Sequence, residues 1–174
     1  MSRTTVAVRP AEHADISALH AVIQRAYRGD SARTGWTHEA DLLDDERITQ
    51  AALVAIVEDP TSLLLIAERD GAIIGSVQLT DKGAGEVYLG LFCIDPAMQR
   101  GGRGRALLAA AENMARRRLG AKTMTMTVID CRPELIAYYI RRGYREAAWG
   151  LDFIVPHDPP LFMTRLEKTL GAFP

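Results

Sequence analysis

The sequence predicts a mixed α/β fold, with a mostly antiparallel sheet of about six to seven strands flanked by about four helices. Three observations carry that expectation. Two apolar runs, residues 62–68 and 72–80, are joined by Arg69-Asp70-Gly71, a hairpin signal with Asp-Gly at its turn. A strand at 86–94, a glycine-rich loop, a helix ending at Gly120 and a strand at 122–129 follow one another as a βαβ unit. Helix-spaced apolar residues recur in two further stretches, after Asp15 and after Pro133.

The remaining elements follow in chain order. A short strand at 5–9 stops at Pro10. Ile16, Leu19, Ile23 and Tyr27 then fall at three-and-four spacing and predict an amphipathic helix with that face inward. His13 and His20 lie seven apart on this segment as lone imidazoles, so they read as surface or capping residues rather than ligands. Residues 28–36, RGDSARTGW, form a polar, turn-rich passage in which Trp36 is a core anchor or the wall of a pocket. After a helical turn at 39–43, Asp44, Asp45 and Glu46 precede a helix reaching about Val57, with Ile48, Ala51, Ala52, Ala55 and Ile56 inward. Capping and the helix dipole explain acids there; the alternative is that Asp41, Asp44 or Asp45 attracts a cationic group.

At about 100° per residue, Leu107, Leu108, Ala111, Met114, Ala115 and Leu119 share one arc of the next helix, with Glu112, Asn113, Arg116 and Arg117 opposite. Pro133 suits the first turn of a helix running to Arg142 and closed by Gly143, where Leu135, Ile136, Tyr138, Tyr139 and Ile140 form a wide apolar arc. Strands at 144–151 and 161–170 frame a proline-rich loop and complete the chain.

Composition excludes several classes. A chain of 174 residues, 48% hydrophobic and 25% charged, reads as one soluble domain over 1–174. A net charge of −1 gives no general attraction to nucleic acid or an anionic membrane. Cys93 and Cys131 form no CxxC pair, which argues against a metal site or a redox dithiol. With neither a signal-like apolar stretch nor a membrane-length run, the expected location is cytoplasmic.

The loop Gln99-Arg100-Gly101-Gly102-Arg103-Gly104 concentrates the chemistry. Its glycines permit positive φ and close approach to the main chain, and the helix behind offers free N–H groups and its positive dipole end to an anion. It is not a P-loop, because no Gly-Lys-Ser/Thr follows, and Leu107 spoils a dinucleotide fingerprint. Taken alone, the loop is either a phosphate cradle or a glycine-rich turn with solubilising arginines.

Two separated motifs supply more. Cys93-Ile94-Asp95-Pro96-x-x-Gln99-x-x-Gly102-x-Gly104-x-x-Leu107-Leu108 precedes Ala137-x-Tyr139-x-x-x-Gly143-Tyr144. Together they resemble the GNAT superfamily of N-acetyltransferases, whose Gln/Arg-x-x-Gly-x-Gly/Ala signature binds the pyrophosphate of acetyl-CoA. The resemblance implies a sheet splayed at the strand carrying Leu91 to Ile94, with pantetheine pairing along the main chain of Phe92, Cys93 and Ile94. Gln99, Arg100, Gly101, Gly102, Arg103, Gly104 and Arg105 would hold the pyrophosphate. The implied reaction is direct acetyl transfer from acetyl-CoA to a primary amine in a ternary complex, without metal. Tyr139 would protonate the departing thiolate, and an N–H near Ile94 would serve the oxyanion. Glu86, the nearest carboxylate in sequence, is the candidate base, with Glu68 and Asp152 behind it.

The sequence departs from the family pattern at Arg100, where glycine is frequent, and at Arg132, where many members carry a coenzyme-contacting asparagine. Cys93 lacks a predicted histidine neighbour and reads as a buried strand thiol rather than an acyl carrier. The acceptor would be a small-molecule or peptide amine. The apolar last strand leaves room for a homodimer. The competing expectation is a non-catalytic acyl-CoA-binding or sensing module.

Overall fold

The computed structural model describes residues 6–28, 33 and 46–171. Trp36, Asp41, Asp44, Asp45 and the turn expected at 39–43 lie outside the described residues. The elements are β1 (Ala7–Pro10), α1 (Ile16–Tyr27), α2 (Gln50–Glu58), β2 (Ser62–Arg69), β3 (Ala72–Gly83), β4 (Glu86–Ile94), α3 (Arg103–Leu119), β5 (Thr123–Ile129), α4 (Pro133–Ile140), β6 (Arg145–Asp152) and β7 (Phe162–Thr169). The strands are ordered β1-β2-β3-β4-β5-β7-β6 in one seven-stranded sheet. β4 and β5 pair in parallel, whereas β1/β2, β2/β3, β5/β7 and β6/β7 are antiparallel. Among the described residues this is a mixed, mostly antiparallel sheet with four helices, the fold class expected from the sequence. The chain divides into two compact units, Met1–Thr80 with Leu89–Met114 and Asp81–Tyr88 with Ala115–Pro174.

In the first unit the β2–β3 hairpin turns at Asp70 (φ 52°) and Gly71 (φ 78°), the left-handed pair that a tight hairpin requires. α1 buries Ile16, Leu19, Val22, Ile23 and Ala26, a face that Val22 and Ala26 make wider than the sequence spacing marked, while Tyr27 is only partly buried. These side chains share a core with Leu53 of α2, Leu64 and Ile66 of β2, and Leu91 and Cys93 of β4. Each fully buried aliphatic chain contributes about 1.5–3 kcal/mol, and the shared core ties α1 to β4.

α2 differs from the expectation. It starts at Gln50, capped by Thr49, whose Oγ1 accepts from the Ala52 N–H at 3.1 Å, so the acidic residues upstream do not cap it. Its buried residue is Leu53, while Ala51 and Ala55 are exposed. The short alanine methyls cannot reach the core that a leucine fills. The histidines also differ, since each has a carboxylate: His13 Nε2 lies 3.0 Å from Glu58 Oε1, and His20 Nε2 lies 2.8 Å from Glu46 Oε1. Among the described residues no group of three potential metal ligands exists.

Arg9 binds both Asp15 oxygens, at 2.7 and 2.9 Å, and both Glu68 oxygens, at 2.8 and 3.0 Å. That fork pins β1 to β2 and to the entry of α1, and it holds the Asp15 carboxyl below the usual carboxylate range. In α3, Leu107, Leu108 and Ala111 are buried as the wheel requires, but Glu112 is buried too, at 9% exposure. The packed face is therefore wider than the apolar arc.

In the second unit β4 enters alongside β5, with Glu86, Val87 and Tyr88 opposite Thr123, Met124 and Thr125. The Gly85 carbonyl accepts from the amides of Lys122 and Thr123, at 2.8 and 3.1 Å. β5 is buried on both faces, Thr125 at 1% exposure included, rather than half-buried as its alternation suggested. β7 runs between β5 and β6, so both of its edges are used. A strand pairing across a dimer would have to use an edge strand, β1 or β6, not the last strand. Among the described residues no helix is long and apolar enough to cross a membrane.

Candidate active site

β4 reaches the loop through a backbone distortion. Leu91 has φ 46°, a left-handed conformation unusual for a leucine. Side chains from neighbouring elements take up the carbonyls around it. Ser76 Oγ, fully buried on β3, donates to the Leu91 carbonyl at 2.8 Å, and the Tyr27 hydroxyl donates to the Phe92 carbonyl at 2.7 Å. Gly75 lies against the same strand, where a Cβ would stand 2.4 Å from the Cys93 carbonyl oxygen. The Asp95 amide then bonds the Ile74 carbonyl at 2.7 Å.

Asp95 organises the turn that follows. Its Oδ1 accepts from the Ala97 N–H at 3.1 Å, capping a single 3₁₀ turn at Pro96–Met98, and its Oδ2 pairs with Arg25 of α1 at 2.7 Å. Gln99 turns its amide back to donate to the Ile94 carbonyl at 3.1 Å, and Arg103 Nη1 donates to the Met98 carbonyl at 2.7 Å. Both side chains brace the loop from behind. Gly101 and Gly102 adopt φ 76° and 73°, where a Cβ would meet nothing closer than the Arg105 guanidinium at 3.8 Å. They are needed for conformation, not for space. Gly104 has no left-handed φ and sits in the first turn of α3, contrary to the sequence reading that grouped it with the other two.

The result is a row of amides facing outward. The first helical bond runs from the Ala106 N–H to the Gly102 carbonyl at 3.0 Å. Among the described residues no backbone carbonyl stands in hydrogen-bonding geometry to the amides of Gly101, Gly102, Arg103, Gly104 or Arg105. Arg100 and Arg105 are exposed beside them. Backbone donors, the positive end of a seventeen-residue helix and two exposed cations form an arrangement suited to an anion.

Cys93 is buried against Ser76, its Sγ 3.4 Å from Ser76 Oγ, and burial pushes its thiol up to about 11. A thiol so protonated at neutral pH is no nucleophile.

The other candidates belong to the second unit. Glu86 Oε1 accepts from Thr125 Oγ1 at 3.0 Å and pairs with Arg165 Nη2 at 3.0 Å, while Oε2 has no protein partner among the described residues. Tyr88, next on the same face of β4, bonds Thr127 Oγ1 at 2.7 Å. On α4, Gly143 (φ 89°) reverses the chain so that the Tyr144 amide bonds the Tyr139 carbonyl at 3.2 Å. The Tyr144 ring then meets the Tyr139 ring edge-on at 5.7 Å. Tyr138 also stands edge-on to Tyr139, at 5.2 Å. The spacing Tyr139-x-x-x-Gly143-Tyr144 is thus a packing unit as well as a motif. Tyr139 is 4% exposed, whereas Ile140, expected inward, is 45% exposed.

The family model described as the acetyltransferase (GNAT) family matches residues 18–144, a span covering the distorted strand, the amide row and the tyrosine motif. The chain belongs to the GNAT acetyltransferase family. It is an N-acetyltransferase-type enzyme, and its fold is shared with solved members. The ribosomal-protein-S18-alanine N-acetyltransferase from Escherichia coli is 18% identical, with a TM-score of 0.75 over 98% of this chain and 97% of that one. The yncA protein from Salmonella typhimurium, solved with acetyl-CoA, is 20% identical, with a TM-score of 0.73 over 98% and 96%. Spermidine N-acetyltransferase from Vibrio cholerae, solved with CoA and spermine, is 16% identical, with a TM-score of 0.72 over 95% of each chain. Among curated protein sequences none matches.

Three residues of this GNAT site escaped the sequence reading: Ser76, Tyr27 and Gly75. Gly75 alone carried a signal, as a glycine isolated within a strand.

Proposed function

We propose that this protein transfers the acetyl group of acetyl-CoA to a primary amine by direct attack in a ternary complex, as one acetyltransferase domain over residues 1–174. The observation that carries the reading is the row of unclaimed amides from Gly101 to Arg105 at the N-terminus of α3. A diphosphate satisfies them, with Arg100 and Arg105 adding charge. Gln99 and Arg103 contribute by holding the loop in shape. Phe92, Cys93 and Ile94 offer main-chain groups to the pantetheine arm. A carbonyl oxygen has two lone pairs, so the Phe92 carbonyl keeps one beside its bond from Tyr27.

Acetyl-CoA supplies an activated carbonyl with a thiolate leaving group. The neutral amine forms its C–N bond as the C–S bond breaks, Tyr139 gives its proton to sulfur, and an N–H near Ile94 receives the developing oxyanion. The amine's proton leaves to Glu86 through water held at Oε2, the oxygen that Thr125 and Arg165 do not occupy. Direct attack is favoured over an acyl-enzyme because Cys93 is buried and its thiol stays protonated.

A second reading, an acyl-CoA-binding module without turnover, is favoured by the burial of Tyr139 in its aromatic cluster. Calorimetry with acetyl-CoA, beside a free-thiol release assay over amino acids, polyamines and peptides, separates the two. Absence of coenzyme binding defeats both, and binding without release for every acceptor selects the module. The solved neighbours span a ribosomal protein and spermidine as named acceptors, so fold likeness leaves the acceptor to that screen.

A further inference from the structure

The segment between α1 and α2 contributes an arginine that the site so far leaves unused. Arg47 enters through its amide, which donates to Gln24 Oε1 of α1 at 2.8 Å, and its guanidinium lies over the Tyr27 ring, 5.0 Å from the centroid. Tyr27 is the residue whose hydroxyl fastens on the Phe92 carbonyl. Arg47 is therefore one side chain removed from the strand assigned to the pantetheine arm of the coenzyme. Its charge also acts on the Cys93 thiol, opposing the effect of burial there.

Among the described residues its guanidinium meets no anion. The Nε is shut off from water and has no hydrogen-bond partner, and among the described residues no carboxylate pairs with Arg47. Two described acids are engaged elsewhere, Asp95 with Arg25 at 2.7 Å and Glu46 with His20 at 2.8 Å. Four other arginines share the buried Nε but are engaged: Asp70 stands by Arg69, Glu134 by Arg132 and the Tyr138 carbonyl by Arg142, and Arg116 also has a partner. A buried donor without an acceptor is costly in a folded protein unless a ligand completes it. A guanidinium fixed by stacking matches one group best, a carboxylate held by two parallel N–H bonds.

We propose that Arg47 binds a carboxylate on the acceptor, so that the amine acetylated belongs to an amino acid or a close derivative. This rests on the acetyltransferase reading and names its acceptor class. The coenzyme's own phosphates are the rival anion, but the amide row at Gly101–Arg105 serves those, whereas Arg47 stands by Phe92.

The test compares each amino acid with its carboxamide as acceptor, for the wild type, Arg47→Gln and Arg47→Lys, with thermal melts confirming that the variants fold. In the wild type, kcat/KM for the acid is expected to exceed that for the amide at least about tenfold. Arg47→Gln is expected to lower kcat/KM for the acid about ten- to a hundred-fold, mainly through KM, and to leave the amide unchanged. Arg47→Lys recovers part of the loss. Equal effects on acid and amide, or a loss that falls on acetyl-CoA affinity instead, overturn the proposal. Should the wild type acetylate nothing, the acetyltransferase reading fails separately, and calorimetry with N-acetylamino acids at saturating CoA decides. Binding at least about tenfold tighter to the wild type than to Arg47→Gln sustains the carboxylate site, and no binding removes it.

Discussion

Replacing Gly75 with alanine tests whether β3 shapes the coenzyme strand. The new Cβ would stand 2.4 Å from the Cys93 carbonyl oxygen and 2.7 Å from Ile94 Cδ1. Ordinary carbon contacts lie near about 3.5–4.0 Å. The Ile94 methyl can rotate away, but the Cys93 oxygen is main chain and retreats only if β4 moves. Overpacking of this kind costs about 1–3 kcal/mol, offset by about 0.4–1 kcal/mol because alanine stiffens the unfolded chain. A main-chain clash belongs at the upper end, for a net loss of about 2 kcal/mol and a fall in Tm of about 4–8 °C. Gly71→Ala is the control, since its Cβ meets nothing and only the left-handed φ of 78° is strained, a cost of about 1 kcal/mol. Urea and thermal melts read the stabilities, and calorimetry reads acetyl-CoA affinity, which is expected to fall for Gly75→Ala alone. A Gly75→Ala protein no less stable than Gly71→Ala, with unchanged coenzyme binding, refutes the claim that β3 holds β4 by contact.

The remaining predictions concern the loop, the tyrosine and the thiol. Gly101→Ala and Gly102→Ala each force a side chain into left-handed backbone, so calorimetry is expected to show acetyl-CoA affinity reduced about tenfold apiece. Tyr139→Phe is expected to lower kcat by about a hundredfold or more with coenzyme affinity unchanged, and an unaltered kcat removes Tyr139 from the chemistry. For Cys93, whose thiol rises from 9.0 to about 11 on burial, the unfolded chain ionises first as pH increases. The stability is complete below pH 9 and is lost as pH climbs toward 11, on the order of 2–3 kcal/mol in all. Urea melts across that range are expected to show the loss in the wild type and not in Cys93→Ala.

The elements legible in the sequence were those with one strong local signal. The Asp70-Gly71 hairpin, the βαβ unit and the Pro133 helix start all appear where turn chemistry and periodicity placed them. α2 misled because alanine is apolar enough to mark a face but too short to fill a core, so Leu53 became the anchor and the cap moved to Thr49. Glu112 shows the converse, a charged residue buried by packing that its own helix does not reveal. At the site, the glycines announced the loop, yet nothing local announces that Gln99 and Arg103 turn back to brace it. Those roles depend on carbonyls that become neighbours only after folding.

The deepest of these illegible features is the strain at Leu91. A left-handed leucine within a strand costs about 1–3 kcal/mol and persists only where its surroundings over-determine it. Here four devices converge on residues 91–95: the Ser76 hydroxyl on the Leu91 carbonyl, the Tyr27 hydroxyl on the Phe92 carbonyl, the bare Gly75 against Cys93, and Arg25 on Asp95. None is needed to bury apolar surface, which Leu91 and Cys93 accomplish through the shared core. What the devices determine is the direction in which β4 delivers the chain to Gly101 and Gly102, and hence where the open amides of α3 point. On this argument Ser76→Ala, which leaves the volume almost unchanged, relaxes Leu91 and lowers acetyl-CoA affinity more than it lowers stability. A Ser76→Ala protein that loses stability but binds the coenzyme as before would show that the hydroxyl merely satisfies a buried carbonyl.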